Sequence, residues 1–136
     1  MKIHNLIFFY ITLLIFHALH IIEESLGGAP FINTIFNGLI NFLIIGFLLF
    51  LIPLSLLYFI LKGNKIAYNL SYIYAIIMVI DGSGHLISFL SNKDYLFTSI
   101  AGAYTGIGLV IFGILLFYSL KKSKLLYNDY VIKKRR

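Results

Sequence analysis

The sequence predicts an all-α, polytopic membrane protein, a bundle of four transmembrane helices joined by short loops. Of its 136 residues, 60% are hydrophobic and only 12% charged, and the mean hydropathy is +0.95, outside the range of a soluble domain. The apolar residues gather in four runs, each long enough to supply the ~20 residues that cross a hydrocarbon core about 30 Å thick. Hardly any chain remains between the runs, and helices satisfy every backbone hydrogen bond internally where lipid offers no partner.

The first run extends from Leu6 to Leu26. Lys2 ahead of it resembles the start of a secretory signal, but no small-x-small cleavage site follows, so the segment is expected to be retained. The second run is Ile35 to Leu61, the third Ile66 to Leu90 and the fourth Leu96 to Leu120. Residues 1–120 then form the transmembrane domain and residues 121–136 a basic cytoplasmic tail. Cysteine is absent, which excludes disulfides and thiolate metal sites.

The net charge of +6 is unevenly spread. Lys121, Lys122, Lys124, Lys133, Lys134, Arg135 and Arg136 all lie beyond the last span, Lys62 and Lys65 flank the turn between spans two and three, and Lys2 begins the chain. The remaining turns hold only Lys93, beside Asp94. The positive-inside rule therefore puts both termini and the 62–65 turn in the cytoplasm. Basic residues beside a membrane gain about 1 kcal/mol each from anionic lipid, so membrane lipids are the expected partner of the tail. Nucleic acid is not, because no folded recognition module accompanies the charge. The terminal "KKRR" resembles a dilysine retrieval signal, which has meaning only in a eukaryotic cell.

With that topology the polar residues inside the spans converge near the outer face. Span one carries His17, His20, Glu23 and Glu24, span two begins with Asn33, Asn37 and Asn41 around it, and span three carries Asp81, Ser83, His85 and Ser88. At 3.6 residues per turn His17, His20 and Glu24 fall within about 60° of one another, with Glu23 at the edge. The asparagines repeat every four residues, as do Asp81 and His85, so three polar stripes are expected. Counted from the helix ends, His17 and Asp81 reach a common depth and are expected to meet, with His20 and Glu24 facing His85 one turn nearer the surface. Ionisable groups at the centre of a membrane helix cost about 2.5 to 3.5 kcal/mol on insertion scales, so they pair, face the bundle interior and mark function. Gly82 and Gly84 in "DGSGH", with Gly102, Gly106 and Gly108 at the start of span four, suit close helix packing. The G-x-G has no strand before it and is no nucleotide signature, so it marks no cofactor-binding residue. Tyr104 is the phenol expected near the site.

Imidazoles and carboxylates at helical spacing are ligands of zinc and other divalent metals. His20, Glu24, His85 and Asp81 form the expected metal set, with Glu24, Asp81 and His17 the expected catalytic groups, in a hydrolase acting on a lipid-like substrate. The same residues without metal suit an acid/base isomerase of an apolar substrate. A non-enzymatic ligand-binding, transport or helper protein could also use them to bind an apolar ligand or merely to specify helix pairing.

The motif "HIIEE", His20 to Glu24, resembles the H-x-x-E-E signature of the small bacterial and archaeal membrane proteins called HXXEE-domain proteins. That resemblance rests on one five-residue motif and would cover most of the chain. It implies that His20, Glu23 and Glu24 are signature residues and that the chain sits in a prokaryotic cell membrane, and it implies no particular reaction.

Overall fold

The structure, a computed structural model, describes residues 3–95 and 98–135, and of residues 3 and 124–135 the backbone alone. Among the described residues five helices form: α1 (Ile3–Gly27), α2 (Pro30–Thr34), α3 (Leu39–Leu61), α4 (Lys65–Ser91) and α5 (Ala103–Arg135). All but α2 are long and apolar enough to cross a membrane, the spanning part of α5 being Ala103–Ser123. The expected four-helix bundle is thus present, with a short extra helix, α2, between its first and second spans.

Neighbouring contacts run α1 to α5, α5 to α4, α4 to α3 and α3 to α1, so the helices form a ring in which α1 and α4 lie across the diagonal. The α4–α5 contact is the most extensive and α3 is the most lightly held. Each helix turns an inward seam whose spacing alternates between four and three residues, the rhythm that keeps one face on a left-handed bundle axis. On α1 the seam is Leu6, Tyr10, Leu13, His17, His20 and Glu24; on α4 it is Ser71, Tyr74, Met78, Asp81, His85 and Ser88. On α5 it is Gly106, Leu109, Gly113, Leu116 and Leu120, and on α3 Phe42, Gly46, Pro53, Leu56 and Ile60 follow the same rhythm. Glycines bring α4 and α5 together: a Cβ on Gly82 would collide with the Gly106 carbonyl, and one on Gly113 would lie 3.1 Å from the Ala75 carbonyl.

Local chemistry sets the helix ends. Asn64 caps α4, its Oδ1 accepting from Ile66 N at 2.8 Å and Ala67 N at 3.1 Å, and Asn92 closes the helix in the left-handed region. Two spans start later than the sequence suggests. Asn37 (φ 54) and Gly38 (φ 120) break the helical path, so the second span begins at Leu39. The three asparagines consequently form no stripe: Asn33 is on α2, Asn37 in the turn and Asn41 on α3, and all are exposed.

The fourth span begins at Ala103, after a loop in which Asp94 Oδ1 accepts from Ile100 N at 2.9 Å. Leu96 itself lies outside the described residues, as do Lys2, Arg136 and the side chains of Lys124, Lys133, Lys134 and Arg135. The backbone of α5 continues without a break into the basic stretch as far as Arg135.

Polar side chains bridge the diagonal. In the half of the bundle that holds the chain's N-terminal turn, Tyr10 Oη donates to the Pro53 carbonyl at 3.0 Å and lies 3.1 Å from Ser71 Oγ. Above it the ring of Tyr10 stacks on Tyr74, whose hydroxyl is 3.3 Å from His17 Nδ1. Around α2 a small apolar cluster forms from Ala29, Phe31, Ile32 and Phe42.

Candidate functional site

The α1 and α4 seams meet one turn above His17. His20 Nε2 lies 3.4 Å from Asp81 Oδ2 and 3.6 Å from Glu24 Oε1. His85 Nε2 lies 3.1 Å from Glu24 Oε1 and 3.8 Å from Asp81 Oδ1. The imidazoles are edge to face, with centroids 4.5 Å apart. Burial is nearly complete for His20 (2% exposed) and His85 (0%), and Glu24 is also buried. The Asp81 side chain keeps about a third of its surface uncovered.

The far side of each imidazole decides which nitrogen carries its proton. His85 Nδ1 is 2.8 Å from the Ser99 carbonyl and 2.9 Å from the Ala101 carbonyl, and because both oxygens only accept, Nδ1 is the protonated atom. These contacts outweigh the longer 3.4 Å approach of Ser99 N. His20 Nδ1 is 2.8 Å from Thr105 Oγ1, and the Thr105 hydroxyl donates to Glu23 Oε2 at 2.5 Å. Thr105 Oγ1 therefore accepts from His20 Nδ1–H. Both Nε2 lone pairs are left pointing into the cluster, and neither atom has a hydrogen-bond partner.

Two nitrogen lone pairs and two carboxylates facing one another in a buried site repel unless a cation lies between them. A proton on each imidazole would supply one, but the carboxylate oxygens stand beside the Nε2 atoms rather than in line, so no hydrogen bond closes despite the short distances. A metal fits better. Ligands about 2.1 Å from a tetrahedral zinc are spaced about 3.4 Å apart, and Asp81 oxygens lie 3.4 Å from His20 Nε2 and 3.8 Å from His85 Nε2. His20, Asp81 and His85 each offer a donor atom within 4.8 Å of the others. Glu24 stands outside that convergent trio, alongside both imidazoles.

Glycine and loop geometry build the outer wall. Gly102 has φ 100, and a Cβ there would fall 2.7 Å from His20 Cε1 and 2.8 Å from His85 Nδ1. Only glycine lets the backbone run so close to both rings. Glu23 is not part of the cluster: its Oε1 accepts from Tyr104 N at 3.2 Å and its Oε2 from Thr105 N at 2.9 Å, satisfying open N–H groups at the start of α5.

Several expectations are corrected. His17 does not meet Asp81; it hydrogen-bonds Tyr74 and rests edge-on against Phe50, with ring centroids 5.6 Å apart. The side chain of Tyr104 is 78% exposed and turned toward Phe89, so the phenol nearest the site is that of Tyr74. Ser88 serves the loop, its Oγ 2.9 Å from Thr98 Oγ1.

A cavity of about 130 Å³ adjoins the cluster, walled by His17, His20, Glu24 and Asp81 on one side and by Phe36, Phe42, Ile45, Gly46 and Leu49 on the other. A separate outer groove of about 600 Å³ includes Glu23 and Asp94, whose carboxylates already accept from backbone N–H groups. Compared with protein-family models, curated proteins and solved structures, the chain shows no significant match.

Proposed function

We propose that this chain is a divalent-metal-dependent membrane hydrolase acting on a lipid-like substrate, with His20, His85 and Asp81 as metal ligands and Glu24 as general base. One observation carries the reading: two buried Nε2 lone pairs, each fixed by a bond on the opposite nitrogen, face two carboxylates without a partner. Three protein ligands with room for a water is the ligand count of catalytic zinc sites. A divalent ion so held would lower the pKa of a coordinated water to about 7 and polarise a carbonyl beside it.

Glu24 stands where it can take the proton of the attacking water. As the water oxygen bonds to the substrate's carbonyl carbon, the bond to the leaving oxygen or nitrogen breaks, and Glu24 returns the proton to that atom. Asp81, the more exposed carboxylate, opens onto the cavity. His17 lines its deeper part and touches the substrate rather than the metal. The unpartnered Nε2 atoms weigh against the metal-free isomerase, which needs a proton shared between imidazole and carboxylate. In this reading the HXXEE-like motif divides its work: His20 binds metal, Glu24 moves the proton and Glu23 holds α5 in place. Lys62 and Lys65 beside the α3–α4 turn, with Lys121 and Lys122 near the end of the last span, support cytoplasmic termini and a site near the outer leaflet.

Elemental analysis of protein purified without chelators and incubated with zinc tests the proposal. Near-stoichiometric metal that is lost in His20→Ala and His85→Ala is the expected result. A metal-free wild type, or equal metal content in both variants, overturns it.

A further inference from the structure

The cavity beside the cluster is walled on one side by α3, the most lightly held of the four long helices. That wall includes the apolar side chains of Ile45 and Leu49, which are 40% and 54% exposed. At the α2 end of the bundle Ala29, Phe31, Ile32 and Phe42 form a buried apolar cluster, with Phe36 and Ala101 packed against it. The α4–α5 and α1–α5 contacts seal the opposite side, whereas α3 touches its neighbours lightly. A ligand therefore enters sideways, beneath α3.

Size and polarity then restrict what enters. At about 130 Å³ the cavity approaches the roughly 150 Å³ that holds one benzene in an apolar protein interior, so it takes one hydrocarbon chain for about six carbons and has no room for a second. One end is carboxylate and imidazole, the other Phe36, Phe42, Ile45 and Leu49. Resting on the metal reading above, we propose that the substrate is an acyl amphiphile drawn from the bilayer: its carbonyl meets the metal centre, the first carbons of a single acyl chain fill the cavity under α3, and the remainder of the chain stays in lipid.

Alkyl hydroxamates, which bind a metal through the head and carry a tail of chosen length, probe this directly. Cobalt-loaded protein in lipid nanodiscs is titrated with acetohydroxamate, butyrohydroxamate, hexanohydroxamate and decanohydroxamate, binding being read from the cobalt visible spectrum. Affinity should rise about four-fold per methylene up to hexanohydroxamate and then level off, the increment expected for burying CH₂ groups. Gly46, whose added Cβ would lie 3.4 Å from Ile21, faces the cavity. Gly46→Leu should fill the space and flatten the gradient while cobalt stays bound. Ile45→Ala, which enlarges the cavity, should move the plateau to longer tails and decides the matter if Gly46→Leu fails to fold. Bound cobalt with no dependence on tail length, or a gradient that neither substitution alters, overturns the acyl-chain proposal alone. Failure of wild type to bind cobalt overturns the metal reading and this proposal with it.

Discussion

Thr105 controls which nitrogen of His20 faces the cluster, and Thr105→Val tests that control. Valine keeps the shape of the side chain while deleting the hydroxyl that donates to Glu23 at 2.5 Å and accepts from His20 Nδ1 at 2.8 Å. His20 is only 2% exposed, so no water replaces the lost acceptor. The Nδ1 proton then has lost its hydroxyl acceptor, and the ring is no longer held with its Nε2 lone pair on the metal position. Leaving a buried donor unpaired costs about 1–3 kcal/mol. At about 1.4 kcal/mol per decade this is roughly a tenfold to hundredfold loss of metal affinity, the range seen when an outer partner of a metal-bound histidine is removed. Competition for zinc against a fluorescent chelator in detergent measures it. Thr105→Ser, which keeps the hydroxyl, should restore binding. A Thr105→Val protein that binds zinc as tightly as the parent would refute the argument from proton placement.

Glu24→Gln should retain metal and lose hydrolysis by about 10²–10⁴-fold, the usual contribution of a general base, while Asp81→Asn should lose the metal itself; equal metal loss in both would make Glu24 a ligand instead. Gly82→Val places a side chain against the Gly106 carbonyl and should destabilise the α4–α5 contact by about 1–3 kcal/mol, read from the SDS unfolding midpoint. An unshifted midpoint would mean that α4 and α5 do not cross there. Tyr10→Phe removes the hydroxyl bonded to the Pro53 carbonyl and next to Ser71. At about 0.6 kcal/mol per membrane hydrogen bond the loss is near 1 kcal/mol by the same assay, and a gain in stability would contradict the assigned bonds.

The buried polar cluster was legible because charge in an apolar run is conspicuous and helical spacing fixes which residues share a face: His20 with Glu24, and Asp81 with His85. The partners behind the imidazoles were not. Ser99 and Ala101 act through backbone carbonyls, which leave no mark in a sequence, and Thr105 looks like any helical threonine until α5 is seen beside α1. Helix order around the ring follows from shape and small residues rather than from hydropathy, so the Gly82–Gly106 crossing could be suspected but not assigned. The Asn37-Gly38 turn was misread as helix because repetition every four residues outweighed its turn-forming composition. Extending the alternating seam on α4 from Asp81 toward its start reaches Tyr74, a signal that was present and overlooked. Tyr104 was misjudged for the opposite reason, since lying among glycines says nothing about which way a side chain points.

The diagonal placement of α1 and α4 carries a consequence for how the molecule is made. A ribosome delivers His20 and Glu24 to the bilayer while Asp81, His85 and Thr105 are still unsynthesised, and an uncompensated carboxylate at that depth is costly. The leading helix must therefore wait near the interface or beside an insertion factor until the third span arrives to share its burden. Only after the last helix docks and Glu23 closes over its first turn is the buried His20–Asp81–His85 cluster fully walled in, which makes its assembly a late event of biogenesis.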